Sequence, residues 1–403
     1  MKKHQLSRQY RLTTPQDIGD KDDALTAQFK QGALFGLVDT ASGDCVVINS
    51  TMHLFLKAYE TPKTLDEITD FFASAFGSTP QEVRPITQPF FKEMKKRGVL
   101  LAPKAGKRIE IIEPYPVGSL IDHYRIEEIL SVNLPLEVYK VTDVQKQQPA
   151  ILKILRMPAH LSQKKQKKWR KTFKKEFTIQ KILMAHPETI GRGHPHICAL
   201  LDLKPDYAVL GWIDGISLRR RLAEGEGLDA TLRDVLLSQI LGSYAFMHDK
   251  KILHGDVHAN NILLSDNAHI HIIDFDLAHR LTHKGTLPRI RGGVPEFIPP
   301  ENIRFDAFDI VKGKANYRTE VYQLGIVAYW ATFGKMPFTG DTWQDLATDI
   351  LNKEIDFCGL SSRGEAVSPH MSQFLKKSLD RNPKNRFASA KEMNAFFLSM
   401  NFR

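Results

Sequence analysis

The sequence is poor in cysteine. Its three, Cys45, Cys198 and Cys358, stand far apart and form neither a disulfide framework nor a metal-site spacing. A reducing compartment, the cytoplasm, is expected. No apolar run approaches the length of about eighteen residues that a bilayer span needs. The start, Met1-Lys2-Lys3-His4-Gln5, lacks the apolar stretch of a signal peptide, so none is expected. Internal repeats and low-complexity tracts are also missing. Acidic residues are the minority, 46 against 56 Lys and Arg, for a net charge of +10. That balance suits acidic partners such as ATP, an acidic peptide, nucleic acid or anionic lipid, without choosing among them. What remains is the composition of a globular protein with room for two or three domains.

Residues 34–50 read as two short strands around the turn Ser42-Gly43-Asp44, with Val38, Val46, Val47 and Ile48 supplying β-branched side chains. From Thr51 the period becomes helical, and Pro62 ends that helix. Thr64 with Glu67, and Thr79 with Glu82, are spaced as capping boxes opening two further helices. Pro85 and Pro89 should kink the third helix or delay its start, and Gly98 should cap its end. Residues 104–122, rich in Pro and Gly, read as a linker between a module at 1–103 and a larger domain at 123–403. Strand-like segments follow at 124–130, 136–142, 148–155, 197–203 and 206–213, with a basic helix between the third and fourth. From Leu228 the chain is mostly helical.

The residues with the clearest chemical meaning are His254-Gly255-Asp256-Val257-His258-Ala259-Asn260-Asn261. Thirteen residues beyond Asn261 lies Asp274, in Ile272-Ile273-Asp274-Phe275-Asp276. A hydroxyl nucleophile needs a carboxylate to orient it and take its proton, which suits Asp256. ATP phosphates need Mg²⁺ held by hard oxygen ligands, which suits Asn261 and Asp274.

This order and spacing resemble the catalytic loop and metal-binding motif of the protein kinases. Other segments fall in the same order. Ala150-Ile151-Leu152-Lys153 resembles the strand whose lysine holds the α- and β-phosphates, and Glu176 lies where the helix glutamate that pairs with it would be. Tyr207–Gly215 resembles the strand and hinge whose backbone, here at Gly211 and Ile213, bonds adenine; Val138, Ala150 and Leu263 would then close on the base. Gly293–Glu301, Glu320–Gly325 and Asp380–Phe387 resemble the end of a Ser/Thr-kinase activation segment, its central buried helix and a late arginine motif, which implies an Arg386–Glu301 pair. The resemblance implies an ATP- and Mg²⁺-dependent phosphotransferase with an N-lobe at 123–213 and a C-lobe at 214–403.

The sequence departs from that family in several places. The three glycines of the phosphate-covering loop fall at Ser131, Asn133 and Leu136, which favours a non-catalytic pseudokinase scaffold. Against that reading, Lys153, Glu176, Asp256, Asn261 and Asp274 are all present. Gly255 replaces the arginine that anchors a phosphorylated activation loop. His258 and Val294 replace a lysine and a threonine that normally touch each other, and Glu320 replaces an aspartate that steadies the catalytic loop. HGDVHANN with IDFD also resembles the aminoglycoside, choline and lipopolysaccharide-sugar kinases, so a small-molecule kinase is the other alternative.

Residues 33–100, with Val38-Asp39, Asn49-Ser50, Lys63–Ile68 and Lys95–Leu101, resemble the PqqD-like winged-helix domains that recognise leader segments of ribosomal peptides. The resemblance implies a peptide added along the edge Cys45–Ser50 and packed near Phe90, Phe91 and Met94. A DNA-binding winged helix or a mere packing module are its rivals, and nucleic acid is not the expected partner. Lys164–Lys175 holds eight Lys or Arg in twelve residues. It reads as a solvated helix docking Trp169 and Phe173, or as a docking site for an acidic partner. The expected architecture is therefore α+β: a small winged-helix-like PqqD domain followed by a bilobal protein-kinase-like fold, a bacterial-type kinase acting on a peptide or protein.

Overall fold

The structure is a computed structural model. It describes residues 5–6, 10–13, 34–39, 45–61, 63–76, 78–96, 99–101, 114–133, 135–157, 162–185, 194–224, 228–281, 294–303, 315–340 and 343–400. The chain divides into two compact units: Met1–Pro114 with Val132–Glu137 and Arg156–Ser162, and the remainder.

In the first unit, β1 (Gln5–Leu6) and β2 (Tyr10–Thr13) precede the expected strand pair, β3 (Leu34–Asp39) and β4 (Cys45–Asn49). β3 and β4 pair antiparallel from Leu34↔Asn49 to Val38↔Cys45. The turn Ser42-Gly43-Asp44 and the cap at Gly98 lie outside the described residues. β2 pairs on the other side of β3, so the order is β2-β3-β4 and β4 is an edge strand among the described residues. Three helices follow, α1 (Ser50–Ala58), α2 (Leu65–Phe76) and α3 (Pro80–Lys96), and then β5 (Leu100–Leu101), which pairs back to β1.

Both capping boxes form. Thr64 N–H donates to Glu67 Oε2 at 2.6 Å and Glu67 N–H to Thr64 Oγ1 at 3.1 Å. The corresponding distances at Thr79 and Glu82 are 2.8 and 3.4 Å. α3 runs from Pro80 through Pro85 and Pro89 as one helix, so its start is not delayed by them. The prolines are four apart and both exposed, so the carbonyls they leave without an N–H partner can be hydrated. Phe55, Tyr59, Phe72 and Phe90 form the aromatic core, with Phe55 and Phe90 edge to face at 4.5 Å. Phe90 and Met94 therefore belong to the core rather than to a groove; of the three residues expected to contact a peptide, only Phe91 is partly exposed.

The second unit opens with β6 (Leu120–Ile121), β7 (Tyr124–Asn133, in this unit as far as Ser131), β8 (Leu136–Asp143, in this unit from Val138) and β9 (Gln148–Leu155). The helix α4 (Gln163–Met184) comes next, then β10 (Leu200–Leu203) and β11 (Tyr207–Gly211). The six strands form one sheet in the order β10-β11-β9-β8-β7-β6. Strand alternation sends Tyr139, Val141, Leu152 and Ile154 into a shared core with Tyr124, Ile126 and Val209. α4 buries Phe173, Glu176, Phe177, Gln180 and Leu183 along one stripe and exposes its lysines apart from the half-buried Lys175. The docked ring pair is Phe173 with Phe177, centroids 4.8 Å apart, while Trp169 is only half-buried.

Beyond the sheet come β12 (Ile216–Ser217), α5 (Leu218–Ala223), α6 (Ala230–Asp249), β13 (Ile252–Leu253), β14 (Ile262–Leu264), β15 (Ile270–Ile272) and β16 (His279–Arg280). The last four helices are α7 (Tyr317–Phe333), α8 (Trp343–Asn352), α9 (Pro369–Ser378) and α10 (Ala390–Met400). Every residue of α7 from Thr319 to Phe333 is buried, as expected of a helix apolar all round. Asn316 and Thr319 close a reciprocal cap at its start, and Gly334 at φ +66° ends it. Among the described residues no helix is long and apolar enough to cross a membrane. A strand-rich segment followed by a helical one is the mixed helix-and-sheet arrangement expected from the sequence.

Candidate active site

The site is assembled from four pieces of chain in the second unit. On β9, the face opposite Leu152 and Ile154 carries Lys153, whose partner across the sheet is Ala208. The buried stripe of α4 carries Glu176. Lys153 Nζ donates to Glu176 Oε1 at 2.8 Å and to Asp274 Oδ1 at 3.1 Å. Burial alone would lower the Lys153 pKa, but Asp274 and Glu176 together push it up, so the ammonium is retained. Partial loss of hydration favours neutral Asp274, whose side chain is still 41% exposed, and Lys153 outweighs it, holding that carboxyl below its ordinary range. The Lys153–Glu176 pair, buried on both sides, is weak evidence for stability, yet removing one member leaves a charge without its counterion.

The third and fourth pieces are the segment 254–261 and the residues after β15. The antiparallel register Ile262↔Ile272 explains why a carboxylate thirteen residues past Asn261 lies beside it. One step beyond the ladder, Ile273 N–H donates to Asn261 O at 3.0 Å, which brings Asp274 to the same end of the hairpin. His254, fully buried, ties the two pieces together. Its Nδ1 accepts Asp256 N–H at 3.3 Å, so its Nε2–H donates to Ile273 O at 3.1 Å. Asn261 Nδ2 donates to Asp256 O at 3.0 Å, which turns its carbonyl oxygen the other way. Asp274 has φ +62°, a left-handed conformation unusual for a non-glycine residue and typical of strained functional positions. Asp276, two residues on, is pushed up to about 7 by burial and then by Asp274.

Gly255 has a structural reason of its own. Its φ is +83°, and a Cβ there would lie 2.5 Å from Leu277 O, so no larger residue fits this backbone. Its N–H donates to Glu320 Oε1 at 2.7 Å. The other oxygen of Glu320 meets His248 Nε2 at 2.8 Å, and His248 Nδ1 accepts Ala390 N–H at 2.9 Å. Because Nδ1 accepts, the ring proton sits on Nε2 and points at Glu320. Glu320 thus suspends the 254–261 segment from α7, with α6 and α10 behind it. Sequence reasoning identified Glu320 but missed His248, whose only signal was a histidine in the last turn of a helix.

Val138, Ala150 and Leu263 lie in the same unit, on β8, β9 and β14, and Ala150 is paired with Gly211 across the sheet. Gly211 N–H donates to Ala199 O at 2.8 Å, so it is engaged within the protein and the backbone group of Gly211 that could meet a base is its carbonyl. That carbonyl also receives Cys198 Sγ at 3.6 Å. Ile213 is half-buried just beyond β11. β7 continues through Ser131 to Asn133 and β8 begins at Leu136, so the three positions expected to be loop glycines are strand residues. Arg386 Nη1 and Nη2 meet Glu301 Oε1 and Oε2 at 2.9 and 2.8 Å, the two-pronged pair the sequence implied.

The arrangement sets a cation, Lys153, against the carboxylates of Glu176 and Asp274, and the Asn261 amide against Asp256. Among the described residues no cluster of three or more His, Cys, Asp or Glu forms a metal cage. One carboxylate and one amide oxygen, from Asp274 and Asn261, suit Mg²⁺ that takes its remaining ligands from phosphate and water.

The family model for the protein kinase domain matches residues 136–398. Serine/threonine-protein kinase PknB of Mycobacterium tuberculosis is 28% identical over 290 residues, which is 69% of this chain and 43% of that protein. Serine/threonine-protein kinase PknL of Mycobacterium bovis is 26% identical over 297 residues, 72% of this chain and 68% of that protein. Serine/threonine-protein kinase ULK3 of Xenopus laevis is 29% identical over 202 residues, 48% of this chain and 41% of that protein. The chain thus spans less than half the length of PknB.

Proposed function

The chain belongs to the protein kinase domain family, and from that premise we propose an ATP- and Mg²⁺-dependent phosphotransferase acting on a hydroxyl of a peptide or protein. The observation that carries this reading is the convergence of Lys153, Glu176 and Asp274, from a strand, a helix and a loop, within hydrogen-bonding distance. In this reading Lys153 binds the α- and β-phosphates and Glu176 holds Lys153 in place. Asn261 and Asp274 would hold Mg²⁺, whose chemistry when bound is to offset phosphate charge. Asp256 orients the acceptor hydroxyl and takes its proton. Val138, Ala150 and Leu263 line the adenine, with the Gly211 carbonyl and the Ile213 backbone at its edge. A cytoplasmic location belongs to the same reading.

Asp274→Asn tests the cofactor part, because a neutral amide is a poorer ligand for a hard cation. At a hundredfold excess over Kd, Mg-ATP should stabilise the wild type by about 2.7 kcal/mol. A thermal-shift series with and without Mg²⁺ should show the Mg-dependent part of that gain lost in Asp274→Asn. An equal Mg-dependent gain in both proteins would exclude Asp274 as a ligand. The strand residues at Ser131, Asn133 and Leu136 favour a second reading, a scaffold that binds without transferring phosphate. HGD with IDFD favours a third, a small-molecule kinase.

The first unit supplies the peptide half of the proposal: a PqqD-like module, residues 1–103, that captures a leader-like segment. β4 at the edge of its sheet and the partly exposed Phe91 support this reading. Capture there would raise the peptide's effective concentration at Asp256 to roughly millimolar for a short flexible connection. Deleting residues 1–103 should raise KM for the native peptide by about tenfold or more, with transfer to a small generic acceptor within about twofold. Equal KM values for the intact and deleted chains would reduce the module to a support.

A further inference from the structure

Next to Asp256 stands a side chain to which the preceding assignments give no task. His258 is 7% exposed, and its ring makes polar contacts on both sides. Nδ1 accepts Asn260 N–H at 3.2 Å, which makes His258 the N-terminal cap of the 3₁₀ turn Ala259–Asn261. A ring nitrogen that accepts a backbone N–H carries no proton, so in the neutral ring the proton is on Nε2. Nε2 lies 3.3 Å from Asp256 Oδ2. Asn261 Nδ2 approaches the same oxygen at 3.3 Å and lies 3.2 Å from Nε2, so the two donors share one acceptor. The Phe297 ring, itself buried, sits 6.1 Å from the imidazole between centroids and helps fix its plane.

We propose that His258 is the positioning residue of this site, capping the turn that presents Asn261 through Nδ1 and holding Oδ2 of Asp256 through Nε2–H. The inference rests on reading Asp256 as the carboxylate that faces the acceptor. With Oδ2 held by two donors, Oδ1 is the oxygen turned to the hydroxyl proton. The lysine usual at this position in the Ser/Thr kinases that the sequence resembles could donate to Asp256 but has no acceptor with which to cap the turn. One imidazole therefore couples the geometry of the proposed metal ligand to that of the carboxylate.

The two tasks can be separated in the full chain, because an Asn side-chain oxygen can stand in for Nδ1 and a Gln side-chain nitrogen for Nε2–H. His258→Asn should keep the cap, leaving the Mg²⁺ concentration for half-maximal Mg-ATP thermal stabilisation within about twofold, a fraction of what a lost cap costs. It should lower kcat by about tenfold or more, because small misplacements of a reacting group are costly. His258→Gln should do the reverse: kcat within about threefold, and half-saturating Mg²⁺ raised about threefold or more through loss of the cap. Equal losses in both variants, or none in either, would overturn the proposal. A two-bond ¹H–¹⁵N spectrum of histidine-labelled protein, with the His258 signal assigned by its disappearance in His258→Gln, should place the proton on Nε2. A proton on Nδ1 would overturn it as well. These spectroscopic and Mg²⁺ readouts stand even if the wild type transfers no phosphate, an outcome that would reject the kinase reading instead.

Discussion

Asp256→Asn should lower kcat for phosphate transfer by about 10²–10⁴-fold, the range that a positioned general base supplies. The substitution keeps the shape of the side chain. Its oxygen can still accept from Asn261 and His258, and the backbone bond to His254 is untouched. What is lost is the ability to take a proton from the acceptor hydroxyl. KM for ATP should stay within about threefold, because the phosphate and metal contacts assigned to Lys153, Asn261 and Asp274 remain. Steady-state kinetics with a labelled γ-phosphate measures both quantities. A fall in kcat of less than about tenfold would mean that Asp256 does not act as the base.

Arg386→Ala should strongly destabilise the second unit, costing about 3–5 kcal/mol. The Arg386 side chain is fully buried. Besides Glu301 it donates to Asp380 O at 2.6 Å, Arg318 O at 3.1 Å and Arg381 O at 3.2 Å, and its guanidinium lies 4.6 Å from the Tyr322 ring centre. Truncation strands all of these acceptors at once and leaves a hole under the ring. For a domain of this size the midpoint of thermal unfolding should fall by roughly 10 °C. Lys391→Ala is the control. Its ion pair with Asp249 is exposed on both sides, and such pairs contribute about 0–1 kcal/mol. Equal shifts in the two variants would contradict the structural role given to Arg386.

The site was legible wherever chemistry and local spacing coincide. Asp256, Asn261 and Asp274 could be read together because a short hairpin converts sequence spacing into proximity, and the register Ile262↔Ile272 does this here. Lys153 and Glu176 were legible from the segments around them, and they meet at 2.8 Å. What was not legible depends on partners far away in the chain. His248 and Glu320 are 72 residues apart, and nothing local marks them as a pair. On α4, Trp169, Phe173 and Phe177 follow one another at the same spacing on one face, and only packing decides that the last two are buried and the first half-buried. β1, β2 and β5 are two to four residues long, too short for a period to register. Gly255 looked like the loss of an arginine, whereas its positive φ and the nearby Leu277 carbonyl make it a requirement of the backbone.

The central claim is that this chain transfers the γ-phosphate of ATP to a hydroxyl of a peptide or protein. The direct measurement is incubation of the full chain with γ-labelled ATP and Mg²⁺, offering Ser- and Thr-containing peptides, an aminoglycoside and a simple sugar as acceptors in parallel. The account predicts label on a peptide or protein hydroxyl, abolished by chelating Mg²⁺ and by Asp256→Asn. Label only on the aminoglycoside or the sugar, or clear stabilisation by Mg-ATP with no labelled acceptor of any kind, would contradict it.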